Sequence, residues 1–198
     1  MKKIILASKS PYRKALLNRL GIQFDTINSD FDENFLKGQI SDPEILTQKL
    51  ALGKAKSVQS KLADSKDVLV IGSDQVCCID ERILGKPGCI EAAQTQLEAL
   101  QGRSHHLMTS YVMLLNDQII CRTNKTTLFA KKLTIKQIKN YLSTDNPIDC
   151  AGSYKLELNG ISLFEKVETE DHTAIIGLPL LQLSRDLTDL GLVIPPEN

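Results

Sequence analysis

The stretch that sets the fold class is residues 4–21, Ile-Ile-Leu-Ala-Ser-Lys-Ser-Pro-Tyr-Arg-Lys-Ala-Leu-Leu-Asn-Arg-Leu-Gly. Its first four residues are apolar, which is typical of a short buried strand. Ser10 then stands at an N-cap position and Pro11 at the first helical position, so a helix is predicted to begin there. Gly21 is predicted to end that helix. The chain therefore starts as a strand, a turn and a helix.

The turn between this strand and helix is a candidate anion site. It carries the hydroxyls of Ser8 and Ser10, the free N–H groups of a helix N-terminus, and Arg13 in the first helical turn. A basic residue in a first turn opposes the helix dipole unless an anion binds there. The alternative is a solvated basic turn that begins an ordinary helix, and the segment by itself leaves both interpretations open.

Composition describes an ordinary globular chain without electrostatic bias. The 198 residues are 42% hydrophobic and 24% charged, and 24 Lys and Arg balance 24 Asp and Glu. No overall field therefore draws the chain to nucleic acid or to a membrane, and any phosphate site has to be local. No apolar run approaches the roughly 20 residues of a membrane span. We expect one two-lobed domain over residues 1–198.

The cysteines indicate a reducing compartment. There are five, scattered and without a C-x-x-C pair: Cys77, Cys78, Cys89, Cys121 and Cys150. We expect reduced, mostly buried thiols and a cytoplasmic protein. The N-terminal apolar run of four residues is also too short for a signal peptide. Zinc is not expected, because the three histidines have no ligand spacing to these cysteines.

Strand-like and helical patterns alternate along the rest of the chain, which predicts an α/β fold. We expect a long mixed β-sheet flanked by helices, in two lobes with a central cleft. The predicted strands are 24–32, 68–71 ending at Gly72, 76–79, 107–115, 118–123 and 126–133. The predicted helices begin at Asp42, Glu91, Thr134 and Pro179, with Ile45, Leu46 and Leu50 on the inner face of the first.

Two acidic positions are candidates for chemistry. Asp74 follows a predicted buried strand, and a carboxylate at the carboxyl end of such a strand faces the crevice where α/β sheets bind ligands. It can hold a divalent metal or activate a water, unless it is a turn aspartate that bonds its own backbone. Asp32-Glu33 can supply a second carboxylate, unless it is a solvated loop pair.

Two lysines are candidates for neutralising phosphate. Lys54 lies on a predicted helix among the small residues 51, 53 and 55, and Lys86 lies in the tight loop Gly85–Gly88. Each also fits an ordinary surface lysine. The segment 149–155 places small residues between polar ones, as a loop that closes on a ligand does. The P-loop and G-x-G-x-x-G patterns are missing, which argues against P-loop enzymes and dinucleotide dehydrogenases.

In their order and spacing these motifs resemble those of the Maf nucleotide pyrophosphatases. The matching segments are 6–13, 32–33, 54–55, 72–75, 85–87, 102–105, 151–154 and 177–179. The resemblance implies a Maf/ITPase-like fold with a cleft between two α/β lobes. It also implies hydrolysis of a nucleoside triphosphate between the α and β phosphates, a divalent metal (Mg²⁺, Mn²⁺ or Co²⁺), and a possible homodimer.

The resemblance carries roles to individual residues. Asp74 resembles the proton acceptor, and Glu33 the metal ligand that acts with it. The residues that would hold phosphates are Ser8, Ser10, Arg13, Lys54 and Lys86. Phosphoryl transfer depends on positioning and charge neutralisation more than on covalent help, which agrees with this set.

Three departures from the common family pattern point to the substrate. Tyr12 stands where an arginine is common, Gln75 where threonine is common, and Glu157 where glutamine is common. They resemble the branch that acts on 7-methyl-GTP rather than on dTTP and UTP. Methylation at N7 makes guanine cationic, which suits the aromatic face of Tyr12, and the guanine edge offers two N–H donors to the Glu157 carboxylate. Gln75 would complete the polar frame.

Other interpretations remain open at this point. Tyr12 can instead pack in the core and Glu157 face solvent. The same chemistry can act on dTTP or UTP, or the chain can be a non-catalytic nucleotide-binding regulator of cell division. The pairing of Asp74 with Glu33 argues against a pure binder, which needs no carboxylates beside phosphate.

Overall fold

The computed structural model describes residues 3–197; residues 1, 2 and 198 of the predicted domain lie outside that range. It is an α/β fold with a seven-stranded mixed sheet, as expected. The strands are β1 (Lys3–Leu6), β2 (Asp25–Thr26), β3 (Val68–Ile79), β4 (Arg82–Leu84), β5 (Ser104–Leu115), β6 (Gln118–Ala130) and β7 (Phe164–Glu168). Their order is β2-β1-β3-β5-β6-β7, with β4 paired to β3. Strand β1 pairs in parallel with β2 and β3, whereas β4 and β7 pair antiparallel with β3 and β6.

Helices follow the predicted start signals. They are α1 (Pro11–Asn18), α2 (Asn34–Lys37), α3 (Pro43–Gln59), α4 (Ile90–Leu100), α5 (Ile135–Asp145) and α6 (Leu180–Asp189), with 3₁₀ turns at Ala151–Ser153, Asn159–Leu163 and His172–Ile176. Ser10 caps α1 by accepting from the backbone N–H of Arg13, and Asp42 caps α3. Thr134 and Gln137 form a reciprocal capping box. The predicted helix starts at these three caps are confirmed.

The largest correction concerns β3. The prediction of a strand that ends at Gly72 is wrong, because β3 runs unbroken from Val68 to Ile79. Gly72 is a point of close approach to α3: a Cβ there would lie 2.3 Å from the carbonyl oxygen of Ala51 and 2.9 Å from the backbone nitrogen of Ala55. The glycine therefore lets a helix pack against the strand and does not end the strand. Asp74 lies inside β3, not at its carboxyl end.

Other boundaries and burial predictions also change. Extended structure at 24–32 is limited to β2. The strands predicted at 118–123 and 126–133 form one strand, β6, which ends at Ala130. Ile45 is 48% exposed, because the inner face of α3 is formed by Leu46 and Leu50 with the next turns. The thiols are free as expected but not mostly buried: only Cys77 and Cys78 are buried, because the other three lie outside buried strand positions.

The described chain divides into two compact units. The first unit holds the chain up to Asp74, residues Thr109–Asn124 and the chain from Asp171 onward; the second holds Gln75–Met108 and Lys125–Glu170. The central cleft stays a prediction. Among residues 3–197, no helix is long and apolar enough to cross a membrane.

The core of the first unit covers both faces of its sheet. Leu69 and Ile71 of β3 pack with the apolar side chains of α1 and α6, while Val68 and Val70 pack with those of α3. Successive side chains of a strand point to opposite faces, so a strand covered on both sides is apolar throughout. The same alternation decides where the polar residues that follow on β3 point.

Candidate active site

The structure joins three of the predicted site residues in the first unit. Nζ of Lys54 lies 2.7 Å from Oε1 of Glu33 and 2.5 Å from Oδ1 of Asp74. Asp74 is only 6% exposed, and the Lys54 side chain 13%. Charges withdrawn from water interact more strongly than charges on an open surface, so this cluster produces a strong local electrostatic field.

Two glycines bring these side chains together. Gly72 and Asp74 lie on the same face of β3, and the closeness of α3 at Gly72 brings Lys54 to Asp74. On α3 itself, Gly53 lies under the ring of Phe31, where a Cβ would be 2.5 Å from Cζ of that ring. Phe31 thereby brings the segment that ends in Glu33 onto α3. Gly53 and Gly72 thus let α3, β3 and the segment that ends in Glu33 approach closely enough for the two ion pairs of Lys54.

The cluster keeps Glu33 ionised. Burial by itself would raise the pKa of the Glu33 carboxyl, but the charges and hydrogen bonds of Lys54 and Lys37 outweigh burial and lower that pKa to about 2. Lys37 lies one helical turn after Glu33, with its Nζ 2.5 Å from Oε2. At neutral pH the carboxylate is therefore charged and able to act as a ligand or an acceptor.

Arg13 belongs to the same electrostatic environment. Its Nε donates to the carbonyl oxygen of Gly177 at 2.9 Å, and the Ser73 hydroxyl donates to that same oxygen at 3.0 Å. Burial lowers the pKa of Arg13, and the negative charges of Asp74 and Glu33 act against that shift. The guanidinium stays protonated in any case.

The predicted anion turn has the expected form. The Ser8 side-chain oxygen accepts from the backbone N–H of Ser10 at 3.1 Å, and that of Ser10 accepts from the N–H of Arg13 at 3.4 Å. Both hydroxyls are half-buried and keep their O–H groups as donors. The turn thus presents hydroxyl donors beside a guanidinium, which is the chemistry that a phosphate needs.

The remaining candidates are placed as follows. The first unit also contains Tyr12, half-buried on α1. The second unit contains Gln75, half-buried on β3, Lys86, exposed in the loop after β4, and Glu157, exposed in the turn that follows Tyr154 and Lys155. The Glu157 charge is among those that raise the pKa of the Cys150 thiol to about 12, the main cause being burial. Glu157 faces solvent, and Tyr12 is not in the fully buried core.

Sequence reasoning missed the parts that hold the site in place. Ser73 and Gly177 belong to motifs that were recognised, but neither received a role. Phe31 has no assigned role either, whereas Gly53 is one of the small residues beside Lys54 where a close approach is expected, and its contact with Phe31 confirms that approach. The sequence offers little local signal for these roles beyond a serine beside a candidate carboxylate. The contacts that give these residues their roles join segments that are apart in the chain.

In the second unit, His105 proves to be a core residue. It is fully buried, and its Nε2 lies 3.0 Å from the Tyr154 hydroxyl, with the Tyr154 and Phe164 rings packed around it. Burial is the main cause that lowers its pKa to about 4. His105 is therefore neutral at physiological pH. It anchors the segment 151–155, where a Cβ on Gly152 would lie 2.7 Å from the Tyr154 ring and 2.9 Å from Cys77 Sγ.

Comparisons with known proteins place the chain in a known family. Residues 3–190 match the family model described as Maf-like protein. The 7-methyl-GTP pyrophosphatase of Bdellovibrio bacteriovorus is 42% identical over 191 residues, 96% of this chain and 98% of its own length. The proteins of that name from Xanthomonas axonopodis pv. citri and Aromatoleum aromaticum are 40% and 38% identical over 195 residues, covering 98% of this chain and 100% and 98% of their own.

The chain belongs to the Maf family. Within that family it is an enzyme, a hydrolase of the pyrophosphatase class.

Proposed function

We propose that this chain hydrolyses 7-methyl-GTP to 7-methyl-GMP and diphosphate. The observation that carries the proposal is the meeting of Glu33 and Asp74 at Lys54, with Arg13 in the same electrostatic environment. Two carboxylates and two cations supply what phosphoryl chemistry needs: an acceptor for the proton of water and neutralisation of the phosphate charge. The shared name of the relatives supports the choice of nucleotide.

Asp74 is proposed as the general base. Its Oδ1 is paired with Lys54, which leaves Oδ2 to take the proton of the attacking water. The water oxygen forms a bond to phosphorus as the bridging P–O bond between the α and β phosphates breaks. Diphosphate leaves with that electron pair, and the water proton stays on Asp74 until it is released to solvent.

The cations and hydroxyls are proposed to hold the triphosphate. Arg13 Nε donates to the Gly177 carbonyl, and the other four N–H groups of the guanidinium are proposed to bind the phosphates. Ser8 and Ser10 offer O–H donors at the same turn, and Lys54 and Lys86 add positive charge. Such an array stabilises the charge that develops on the phosphoryl oxygens.

The donor set fits a hard divalent cation. The carboxylate oxygens of Glu33 and Asp74 that meet lysines keep further lone pairs, and Mg²⁺ is commonly bound through one or two carboxylates together with substrate phosphates. We propose that these two residues hold Mg²⁺, Mn²⁺ or Co²⁺. When bound, such an ion supplies Lewis-acid polarisation of a phosphoryl oxygen.

The residues proposed to select the base are Tyr12, Gln75 and Glu157. A cationic 7-methylguanine favours the aromatic face of Tyr12, and its N1–H and 2-amino donors suit the Glu157 carboxylate. Gln75 adds an amide that can donate and accept. The proposed substrate is a free nucleotide, with no nucleic acid or membrane as partner, which agrees with the balanced net charge of the chain. The proposed location of the enzyme is the cytoplasm. A homodimer stays a prediction from the family resemblance.

The test is release of pyrophosphate from 7-methyl-GTP, GTP, dTTP and UTP in parallel, first with Mg²⁺ and then with a chelator. Metal-dependent preference for 7-methyl-GTP over GTP is the expected result. Preference for dTTP or UTP would keep the enzyme class and overturn the base assignment. Binding of nucleotides without release from any of them would favour the non-catalytic regulator.

A further inference from the structure

We infer that Ser73 is a positioning residue for Arg13 and acts on it through the main-chain carbonyl of Gly177. The inference deepens the proposed function and rests on it only for the identity of the anion that Arg13 binds. Both donors reach one acceptor: Arg13 Nε at 2.9 Å and Ser73 Oγ at 3.0 Å from the same oxygen. A carbonyl oxygen has two lone pairs, so this acceptor is fully used.

Strand β3 explains why Ser73 is suited to this role. Positions 70, 72 and 74 share the face toward α3, which carries Lys54, whereas positions 71 and 73 share the opposite face, toward α1 and α6. Adjacent residues of one rigid strand therefore hold the carboxylate of Asp74 on one side and the Gly177 carbonyl on the other. The strand fixes the guanidinium relative to the carboxylate.

The carbonyl itself is aimed by a rigid turn. The Asp171 side chain accepts from the N–H and hydroxyl of Thr173 and from the N–H of Leu181, at 2.9, 2.6 and 2.6 Å. The Thr173 side-chain oxygen accepts from the N–H of Leu180 at 2.8 Å. These bonds tie the 3₁₀ turn before Gly177 to the first turn of α6 after it.

Only glycine fits at this turn. Gly177 has φ +123°, and a Cβ there would lie 3.3 Å from Nε of Arg13. The backbone conformation is strained for any residue with a side chain, and a Cβ would also press against the guanidinium. The turn therefore brings a carbonyl oxygen directly against the arginine, where it holds Nε.

A held Nε matters because Arg13 has five N–H donors in a planar fork. With one donor spent on Gly177, four remain, and their direction is fixed by the orientation of the guanidinium plane. Bidentate recognition of a phosphate depends on that direction. Loss of the Ser73 hydroxyl leaves the Gly177 carbonyl with one donor, so the plane turns more freely and the anion is held less well.

The experiment is a double-mutant cycle with Ser73→Ala and Arg13→Met, read out as calorimetric binding of inorganic pyrophosphate. Ser73→Ala alone is expected to weaken binding about fivefold to tenfold. In the Arg13→Met background the same change is expected to have no further effect. A purely structural serine would lower affinity equally in both backgrounds, and that result, or unchanged affinity in Ser73→Ala, would overturn the inference.

Ser110→Ala is the matched control. Ser110 is as fully buried as Ser73, and its hydroxyl is also hydrogen-bonded, to Thr47 at 2.8 Å. We expect a similar loss of thermal stability in both variants but an affinity within twofold of wild type for Ser110→Ala alone. An equal loss of affinity in Ser110→Ala would count against a specific role for Ser73.

The proposed function and this inference fail in different ways. Suppose that the wild-type chain turns over no nucleotide, but Ser73→Ala still weakens pyrophosphate binding only when Arg13 is present. The proposed function is then wrong and the inference stands. If the wild type hydrolyses 7-methyl-GTP while Ser73→Ala keeps normal kcat, KM and pyrophosphate affinity, the inference is wrong alone. A wild-type chain with neither turnover nor pyrophosphate binding would contradict both.

Discussion

Nζ of Lys54 lies 2.5 Å from Oδ1 of Asp74, although one residue is on helix α3 and the other inside strand β3. The contact exists because Gly72, two positions before Asp74 on the same face, lets the helix backbone approach the strand. Helix–strand packing and the charge cluster are therefore one feature. A substitution at Gly72 is expected to change stability, whereas a substitution at Asp74 is expected to change turnover.

Gly72→Ala is expected to lower the free energy of unfolding by about 3 kcal/mol, because its Cβ would meet backbone atoms of α3 that cannot move independently. Urea denaturation measures the change. Gly85→Ala is the control, since a Cβ there meets nothing within 4 Å. Equal stability of the two variants would contradict the close-approach role of Gly72.

Asp74→Asn is expected to lower kcat on the order of 10³-fold while nucleotide binding persists, because the amide keeps the shape but cannot take a proton. Stopped assays of pyrophosphate release and calorimetric nucleotide binding measure the two effects. Asp80→Asn, which changes an exposed aspartate paired with Arg103, is expected to keep normal turnover. Unchanged turnover in Asp74→Asn would remove this residue from the reaction.

Glu33 makes stability depend on acid pH. Its pKa is about 2 in the folded chain and 4.5 without the fold, so the unfolded chain binds more protons between these values. Its contribution is complete above pH 4.5 and is lost as pH falls toward 2. Urea denaturation over this range should show a shallower loss in Glu33→Gln than in wild type. Glu165→Gln, which changes an exposed glutamate of the second unit, is expected to keep the wild-type loss; a loss as shallow as that of Glu33→Gln would show that the effect is not specific to Glu33.

His105 gives a second and separate pH window. Its pKa is about 4 in the folded chain against 6.5 unfolded, so acid favours the unfolded chain between pH 6.5 and 4. The difference between these two pKa values corresponds to ~3 kcal/mol of stability lost across that window. His105→Gln is expected to abolish most of this loss. His172→Gln, at an exposed histidine, serves as control, and a full wild-type slope in His105→Gln would contradict the assignment.

Glu157→Gln tests the proposed reading of the base. The amide removes the negative charge that favours the cationic 7-methylguanine over neutral guanine, so the ratio of kcat/KM for 7-methyl-GTP over GTP is expected to fall about tenfold. Parallel initial-rate assays measure the ratio. GTP has the same N1–H and 2-amino donors, so its kcat/KM is also expected to fall, but by less than that of 7-methyl-GTP. An unaltered ratio would mean that Glu157 does not select the base.

Local sequence sufficed where a few neighbours decide the outcome. Ser10 with Pro11, Asp42 with Pro43, and Thr134 with Gln137 predicted helix starts that the structure confirms. A cap needs only a side-chain acceptor within three residues of an N–H group, and proline fixes its own φ, so both signals are complete within one turn. The motifs also sufficed to recognise the Maf family, since their order along the chain needs no coordinates.

Tertiary structure alone decided how those motifs meet. Gly72 fits a strand end or a close helix contact equally well by sequence, and only the position of Ala51 and Ala55 distinguishes them. Arg13 and Gly177 are 164 residues apart, and their hydrogen bond depends on β3, the 3₁₀ turn and α6 together. The burial of His105 depends likewise on Tyr154 and Phe164. The sequence by itself determined which residues carry charge, hydroxyls and caps, whereas distances between remote segments are set by packing, which no local pattern encodes.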